Sequence, residues 1–429
     1  MLVSKAVSLL FYCSKRKDRV CTCVTSIFEK LLSRKTWDEF LEYKLTHQYM
    51  SRKEKEQLAS FIEEERYLPI ATRLFHRDYC LDLPLRRTIN KSGTTKKRTV
   101  YTFSEEENLF LKGLSFQLYH YDPLLSGRCY SFRRSHSARN AIFDILAQKH
   151  KDSLFCFKAD ISNYFNSIPE EKLLSVLEGL ILDDPDLLWF FRCLLLAGKS
   201  RLSDGSIIAE SRGAMAGTPI SPFFANVYLL SVDQEFEEKG ISYFRYSDDI
   251  LIFAETREKL DLAISLFTSR IEEKGLALNS SKMHISTPGE PWEFLGFSYK
   301  DHQVDISSVT KEKLKGKIRR KARSLLRWKT KTDAGYERAA KALIRTFNRK
   351  FYNELREDLF TWSRWFFPVI TTDKSLQELD SYLIEYIRYL YSGRHYKGNY
   401  AVTYDQIKDM GFRSLRHEYY LSRMEDALS

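Results

Sequence analysis

The sequence predicts an α+β fold, with a sheet-bearing centre set between helical flanks. Three observations predict it. Short β-prone runs are confined to residues 83–299. Residues 1–70 read as helical; in 53–62 the spacing of Leu58, Phe61 and Ile62 marks one buried face with charges elsewhere. From residue 311 onward the chain reads as almost wholly helical.

In order along the centre, Leu85-Arg-Arg-Thr-Ile89 and Arg98-Thr-Val-Tyr-Thr-Phe103 flank a segment, 90–97, rich in turn formers and lysines. That is a hairpin with a basic tip. Residues 105–120 and 136–149 read as helices, 154–159 as a short apolar strand, and 170–197 as one helical block. A Gly/Pro-punctuated loop, 213–222, enters a helix over 223–236. Residues 242–254 read as strand–turn–strand, 257–274 as an amphipathic helix and 292–299 as one further strand.

At 429 residues the chain has room for two or three domains, or one large multi-lobed unit. Its 43% hydrophobic and 29% charged content, with 17 Gly and 10 Pro, excludes a disordered tail, a collagen-like repeat and a small disulfide scaffold. No apolar run is long enough to span a bilayer. The apolar run 6–13 is too short for a signal peptide and Lys15-Arg-Lys17 follows it, so a cytoplasmic chain without a membrane partner is expected. Cys13, Cys21, Cys23, Cys80, Cys129, Cys156 and Cys193 are odd in number and irregular in spacing, which points to reduced thiols and no zinc site. A net charge of +11 with 14% aromatic residues suits a nucleic-acid binder: cations for phosphates, flat rings for bases or sugars.

The chemistry is carried by three segments. In Tyr246-Ser-Asp-Asp249, two carboxylates interrupt a strongly β-prone run and sit at a hairpin tip. Adjacent carboxylates repel unless a cation neutralises them, and Mg²⁺ wants hard oxygen ligands. Asp160 ends the apolar strand Phe155-Cys-Phe-Lys-Ala159. A strand-end carboxylate can meet a hairpin-tip pair in one sheet and hold two divalent ions about 4 Å apart for in-line phosphoryl transfer. Arg212-Gly-Ala-Met-Ala-Gly-Thr-Pro-Ile-Ser-Pro222 is a flexible loop that can bring backbone close to a nucleotide. Alone, each has a plainer reading: an Asp-Asp turn, a helix N-cap at Asp160, a loop that turns a corner.

Taken in order, these segments resemble the reverse transcriptases, specifically the bacterial ones related to group II intron enzymes. Asp160 stands at motif A, Gly217–Pro222 at motif B and Tyr246–Asp249 at motif C. Leu276-Ala-Leu-Asn-Ser-Ser-Lys282 resembles motif D, Glu293-Phe-Leu-Gly-Phe297 the motif E primer grip, and Tyr130-Ser-Phe-Arg-Arg-Ser-His-Ser-Ala138 a fingers element. The resemblance covers residues 80–300 or so. It implies a right-hand polymerase of fingers, palm and thumb. Asp160, Asp248 and Asp249 would be catalytic and hold two Mg²⁺ (Mn²⁺ a substitute), with the Ile161 carbonyl as a further ligand. Phe165 would be the steric gate against ribonucleotides. Lys91 and Arg98, with Lys96 and Lys97 as rivals, would grip the triphosphate; Ala216 and Gly217 would lie at the nucleotide, and Lys282 would protonate pyrophosphate. Phe294, Leu295 and Gly296 would contact the primer. The chain departs from the intron enzymes at Ala216, where they usually have Gln. It also lacks the Asn-Ala-x-x-His and Val-Thr-Gly elements of retron enzymes, which argues against a retron.

Residues 311–329 hold ten Lys or Arg against one Glu, with Leu314, Ile318, Ala322, Leu325 and Leu326 on one face. One packed and one cationic face suit a thumb helix riding product phosphates, with Lys317, Arg319, Arg320 and Arg323 in contact. The aromatic, basic tail resembles that of the defence-associated (unknown-group) bacterial reverse transcriptases, the single-protein type 2 kind above all. That resemblance implies a structured non-coding RNA copied from dNTPs into cDNA in antiphage defence. The expected division is a helical extension (1–70), fingers (71–158), palm (159–305), thumb (306–350) and a helical C-terminal region (351–429). Three rivals remain: template-independent or protein-primed synthesis, an idle RNA-binding scaffold, and an intron maturase.

Overall fold

The computed structural model describes residues 26–48, 50–90, 97–352 and 361–428. Its first helices are α1 (Ile27–Leu31), α2 (Arg34–His47), α3 (Arg52–Glu63) and α4 (Leu68–Phe75). A Ser51/Glu54 capping box starts α3, and Leu58, Phe61 and Ile62 are its buried face. The hairpin β1 (Leu85–Asn90) and β2 (Lys97–Thr102) follows, antiparallel, with Asn90 opposite Lys97. Helix α5 (Glu105–Leu118) packs through Gly113 onto Trp37, the centre of an aromatic cluster with Phe61, Tyr67 and Phe110.

After α6 (Ala138–Leu146), the central strand β3 (Phe155–Asp160) leads into α7 (Tyr164–Ser167). The expected helical block is two helices, α8 (Glu170–Leu180) and α9 (Pro185–Leu196). Asp184 breaks it: its carboxylate caps α9 at Leu187 N–H (2.9 Å) and also accepts the Ile27 N–H (2.6 Å), while Pro185 takes the first helical position. Two three-residue strands, β4 (Lys199–Arg201) and β5 (Ile207–Ala209), then extend the hairpin sheet in the order β2-β1-β4-β5.

The predicted helix over 223–236 is likewise two, α10 (Ser221–Tyr228) and α11 (Leu230–Glu238). Strands β6 (Ser242–Tyr246) and β7 (Asp249–Ala254) form the predicted hairpin, followed by α12 (Arg257–Glu273) and β8 (His284–Ser286). The central antiparallel sheet runs β6-β7-β3-β8. Both its faces are covered. Ile250 and Ile252 belong to a core shared with the N-terminal helices, whereas Leu251 and Phe253 belong to a second core shared with the C-terminal helices. That explains why 250–253 reads as an unbroken apolar run rather than an alternation.

The single strand expected over 292–299 is a tight hairpin, β9 (Trp292–Phe294) and β10 (Phe297–Lys300), with β11 (Gln303–Ile306) completing a third sheet. Leu295 (φ 49°) and Gly296 (φ 93°) both take left-handed backbone, as a two-residue turn of this hand requires. Helices α13 (Ser308–Thr332), α14 (Tyr336–Tyr352), α15 (Trp362–Phe366), α16 (Lys374–Ser392), α17 (Tyr404–Asp409) and α18 (Leu415–Leu428) form the C-terminal bundle. On α13, Leu314, Ile318, Ala322 and Leu325 are buried, as the spacing predicts. Among the described residues no helix is long and apolar enough to cross a membrane. Cys80, Cys129, Cys156 and Cys193 are free thiols; Cys13, Cys21 and Cys23 lie outside the described residues.

A methyl group on Gly113 would meet the Trp37 ring at 2.5 Å. Gly113→Ala is therefore expected to lower unfolding stability by about 1–2 kcal/mol, overpacking outweighing the gain in helix propensity. Urea denaturation checks this; unchanged stability would show that Trp37 moves aside freely.

Candidate active site

Asp160 and Asp249 are direct cross-strand partners at the end of the β3/β7 ladder. Facing residues of an antiparallel pair project from the same side of the sheet. By strand parity that side is the one bearing Leu251 and Phe253, toward the C-terminal helices. Asp248 sits one residue back in the turn, where its carbonyl accepts the Ile161 N–H (3.1 Å). All three carboxylates line one cleft of about 750 Å³, together with Lys158, Lys282 and Phe294. Asp160 is strand, not the N-cap of a helix.

The segment 276–282 closes the cleft from beside β3. Ser162 N–H bonds to the Ala277 carbonyl (2.9 Å) and Asn279 N–H to that of Asp160 (2.8 Å). This places Lys282 in an ion pair with the Asp160 carboxylate. Burial tends to lower the Lys282 pKa, but the hydrogen bond and charge of Asp160 outweigh it and the net shift is upward. Burial and then the Asp160 charge push Asp248 up, and burial and then the Asp248 charge push Asp249 up to about 6. In both, burial and the neighbouring carboxylate charge outweigh the opposing pull of the cleft lysines. The hard carboxylate oxygens suit Mg²⁺ or Mn²⁺. Among the described residues, though, no three acidic, His or Cys side chains already form a ligand cluster. Asp160 is turned toward Lys282 and Asn279 instead.

Residues 89–299 match the reverse transcriptase (RNA-dependent DNA polymerase) family. The chain carries a reverse transcriptase domain. It is 26% identical over 242 residues to the Retron Ec86 reverse transcriptase of Escherichia coli, covering 54% of this chain and 68% of that protein. It is 30% identical over 122 residues to the Retron Ec83 reverse transcriptase of the same organism, covering 27% of this chain and 38% of that protein. It is also 30% identical over 168 residues to an uncharacterized 91 kDa protein in the cob intron of Schizosaccharomyces pombe, covering 39% of this chain and 20% of that protein. Two retron enzymes are thus similar to this chain, although the elements whose absence argued against a retron are missing. With the three sheets described above, the domain is that of an RNA-directed DNA polymerase of α+β, right-hand architecture.

Other expected residues of the reverse transcriptase domain fall as follows. Phe165 is half-buried, with Phe132 6.3 Å away ring to ring. The Arg98 guanidinium reaches over Phe165 from β2, 5.8 Å from the ring centre. Lys91 and Lys96 lie outside the described residues. Gly217 (φ +102°) lets the loop touch β2: a Cβ there would stand 3.1 Å from the Tyr101 carbonyl. Ala216 is buried, its carbonyl accepting Tyr101 N–H (2.8 Å). Leu295 and Gly296 form the tip of the β9–β10 turn and, with Phe294, line the same cleft. On α13, Lys317, Arg319, Arg320 and Arg323 are all exposed. The Ile161 carbonyl makes no contact that tests it as a ligand.

The sequence reading missed the support behind the Asp248 turn. Ser247 holds a left-handed backbone (φ 62°). Its N–H donates to the Ser131 hydroxyl (2.9 Å), which in turn donates to Asn226 Oδ1 (3.0 Å). Asn226 returns a bond to the Ser131 carbonyl (2.7 Å). Beside them the fully buried Arg245 pairs twice with Asp233, its Nε at 2.7 Å. Tyr243 also donates to Asp233 (3.0 Å). The polar residues Ser131, Asn226 and Asp233 sit at apolar-looking positions, and that mismatch was the available signal.

Ser131→Ala would leave the buried Ser247 N–H without its acceptor. We expect a loss of about 1–3 kcal/mol in stability. In primer extension, kcat should fall while the KM for dNTP stays near wild type, since only the turn is loosened. A stability loss with normal kcat would show that the network holds the fold and not the turn.

Proposed function

We propose that this chain adds dNTPs to a primer 3′-hydroxyl on an RNA template, and that Asp160, Asp248 and Asp249 are its catalytic residues. The observation that carries this reading is that three carboxylates, distant in sequence, line one cleft at one sheet end in a reverse transcriptase domain. Divalent ions held by these carboxylates, with the Ile161 carbonyl as a further ligand, would activate the 3′-hydroxyl and neutralise charge on the leaving pyrophosphate.

The chain's own groups supply the rest. Arg98, with Lys91, grips the triphosphate, for which a guanidinium fork is suited. Phe165 presents a rigid wall where a ribose 2′-hydroxyl would clash. Ala216 and Gly217 keep the loop backbone close to the nucleotide. Lys282 carries a proton that it can give to pyrophosphate once Asp160 turns away from it. Phe294, Leu295 and Gly296 border the primer end, and the exposed cations of α13 follow the product phosphates. The fingers, palm and thumb then correspond to 71–158, 159–305 and 306–350, between helical regions at 1–70 and 351–429. We further infer a structured non-coding RNA as template, copied into cDNA in the cytoplasm in antiphage defence. The resemblance of the tail and the similarity to bacterial retron enzymes support this context.

Asp248→Ala combined with Asp249→Ala is expected to abolish synthesis from labelled dNTPs while leaving RNA binding largely intact. Synthesis by that variant would overturn the assignment of the site. A product whose sequence does not mirror the supplied RNA would instead favour template-independent synthesis. Phe165→Ala is expected to raise ribonucleotide incorporation in primer extension; an unchanged dNTP/rNTP ratio would count against the gate.

A further inference from the structure

Tyr396, Tyr400 and Tyr404 expose 50%, 67% and 41% of their surface, so the fold does not need these rings for its core. They line a cleft of about 700 Å³ between α13, α16 and the segment leading into α17. Cations lie over all three rings. The Arg388 guanidinium is 4.7 Å from the Tyr400 centroid, Arg394 5.4 Å from Tyr396, and Lys408 5.4 Å from Tyr404. Arg388 is itself fixed by a bond to the Val402 carbonyl (3.0 Å). The acidic groups in the cleft are already engaged. Glu378 pairs with Lys311 at 2.7 Å and with Lys315, and Glu385 pairs with His395 at 2.8 Å.

This cleft is separate from the catalytic one. Lys313 lines the catalytic cleft and Lys315 lines this one. Two residues on a helix are about 200° apart at roughly 100° per residue. The two clefts therefore lie on opposite sides of α13, which presents cations to both.

We propose that this second cleft binds single-stranded nucleic acid, stacking unpaired bases on Tyr396, Tyr400 and Tyr404 and meeting phosphates with Arg388, Lys397 and neighbouring cations. A ring with a cation on one face is held in place and leaves its other face for a base. A duplex hides its base faces and cannot use such rings; an acidic peptide could meet the cations but has no use for flat stacking surfaces. The proposal rests on the reading above only in taking the chain to handle nucleic acid. The strand can be unpaired template RNA or released cDNA.

The test uses the full chain with its catalytic cleft loaded with a blunt RNA–DNA duplex. Binding of a short uridine-only RNA and of the matching DNA is followed by fluorescence anisotropy. Tyr396→Ala with Tyr400→Ala is expected to weaken binding roughly tenfold to a hundredfold. Tyr396→Phe with Tyr400→Phe should bind as wild type, because stacking survives loss of the hydroxyl. Extension of a pre-annealed primer–template should keep its kcat in both variants. Preference for RNA assigns the cleft to template and preference for DNA to product, and either supports the proposal. Unchanged affinity in the Ala pair, or an equal loss in the Phe pair, overturns it. So do crosslinks from 4-thiouridine RNA that map away from the residues lining this cleft. The two readings fail separately. A chain that makes no DNA yet loses oligomer binding in the Ala pair refutes the polymerase reading alone. One that makes DNA and binds oligomers equally well in all variants refutes this one alone.

Discussion

The site depends on the register of one strand pair. Asp160 and Asp249 face each other at the end of a six-residue antiparallel ladder, where their like charges oppose the pairing. Six backbone pairs and two cores hold them there. A slip of one residue would exchange the faces of Ile250, Leu251, Ile252 and Phe253 and carry Asp249 to the opposite side of the sheet. Because each face packs against its own core, both would be disrupted together. The apolar residues beside the carboxylates thus do more to set the chemistry than any polar contact between them. The raised pKa of Asp249 follows from its burial there first, then from the adjacent Asp248 charge, with Asp160 adding a smaller push.

A second layer of constraint lies behind the turn. The Arg245–Asp233 pair is fully buried, and such pairs are better understood as specifying one arrangement than as adding stability. Here they tie β6 to α11, while Ser131 and Asn226 tie the left-handed Ser247 to a distant loop and to α10. Loss of any one partner leaves a desolvated group in an apolar setting, so the elements around the turn are held as a unit.

How legible this was in the sequence follows from the range of the interactions. Strand ends, the hairpin tips and the apolar stripe of α13 are local patterns, and Asp160, Asp248 and Asp249 sit at pattern breaks that can be seen without a structure. Arg245 could not be read this way. In Tyr243-Phe-Arg-Tyr246 it looks like the outward residue of an alternating strand, and only Asp233, brought by α11, makes its burial tolerable. Strands β4 and β5 are three residues each, too short for a period of two to register. The breaks at Asp184-Pro185 and Leu295-Gly296 did carry signals: a cap followed by proline, and a glycine within a β-prone run. There the apolar run on either side masked the punctuation.

The departure at Ala216 has a physical reading in the same terms. Its neighbour Gly217 approaches β2 so closely that a Cβ would meet both the Tyr101 carbonyl and the Val100 side chain at 3.1 Å. Ala216 itself bonds to Tyr101 through its carbonyl and to Asn166 Oδ1 through its N–H (2.9 Å), and Asn166 also donates to the Thr99 carbonyl (3.0 Å). The loop, the segment after Asp160 and the hairpin strand are therefore stitched into one body at this point. With almost no exposed surface, position 216 has no room for a longer amide side chain reaching toward a ligand. A methyl group allows the close stitching that sets Arg98 above Phe165.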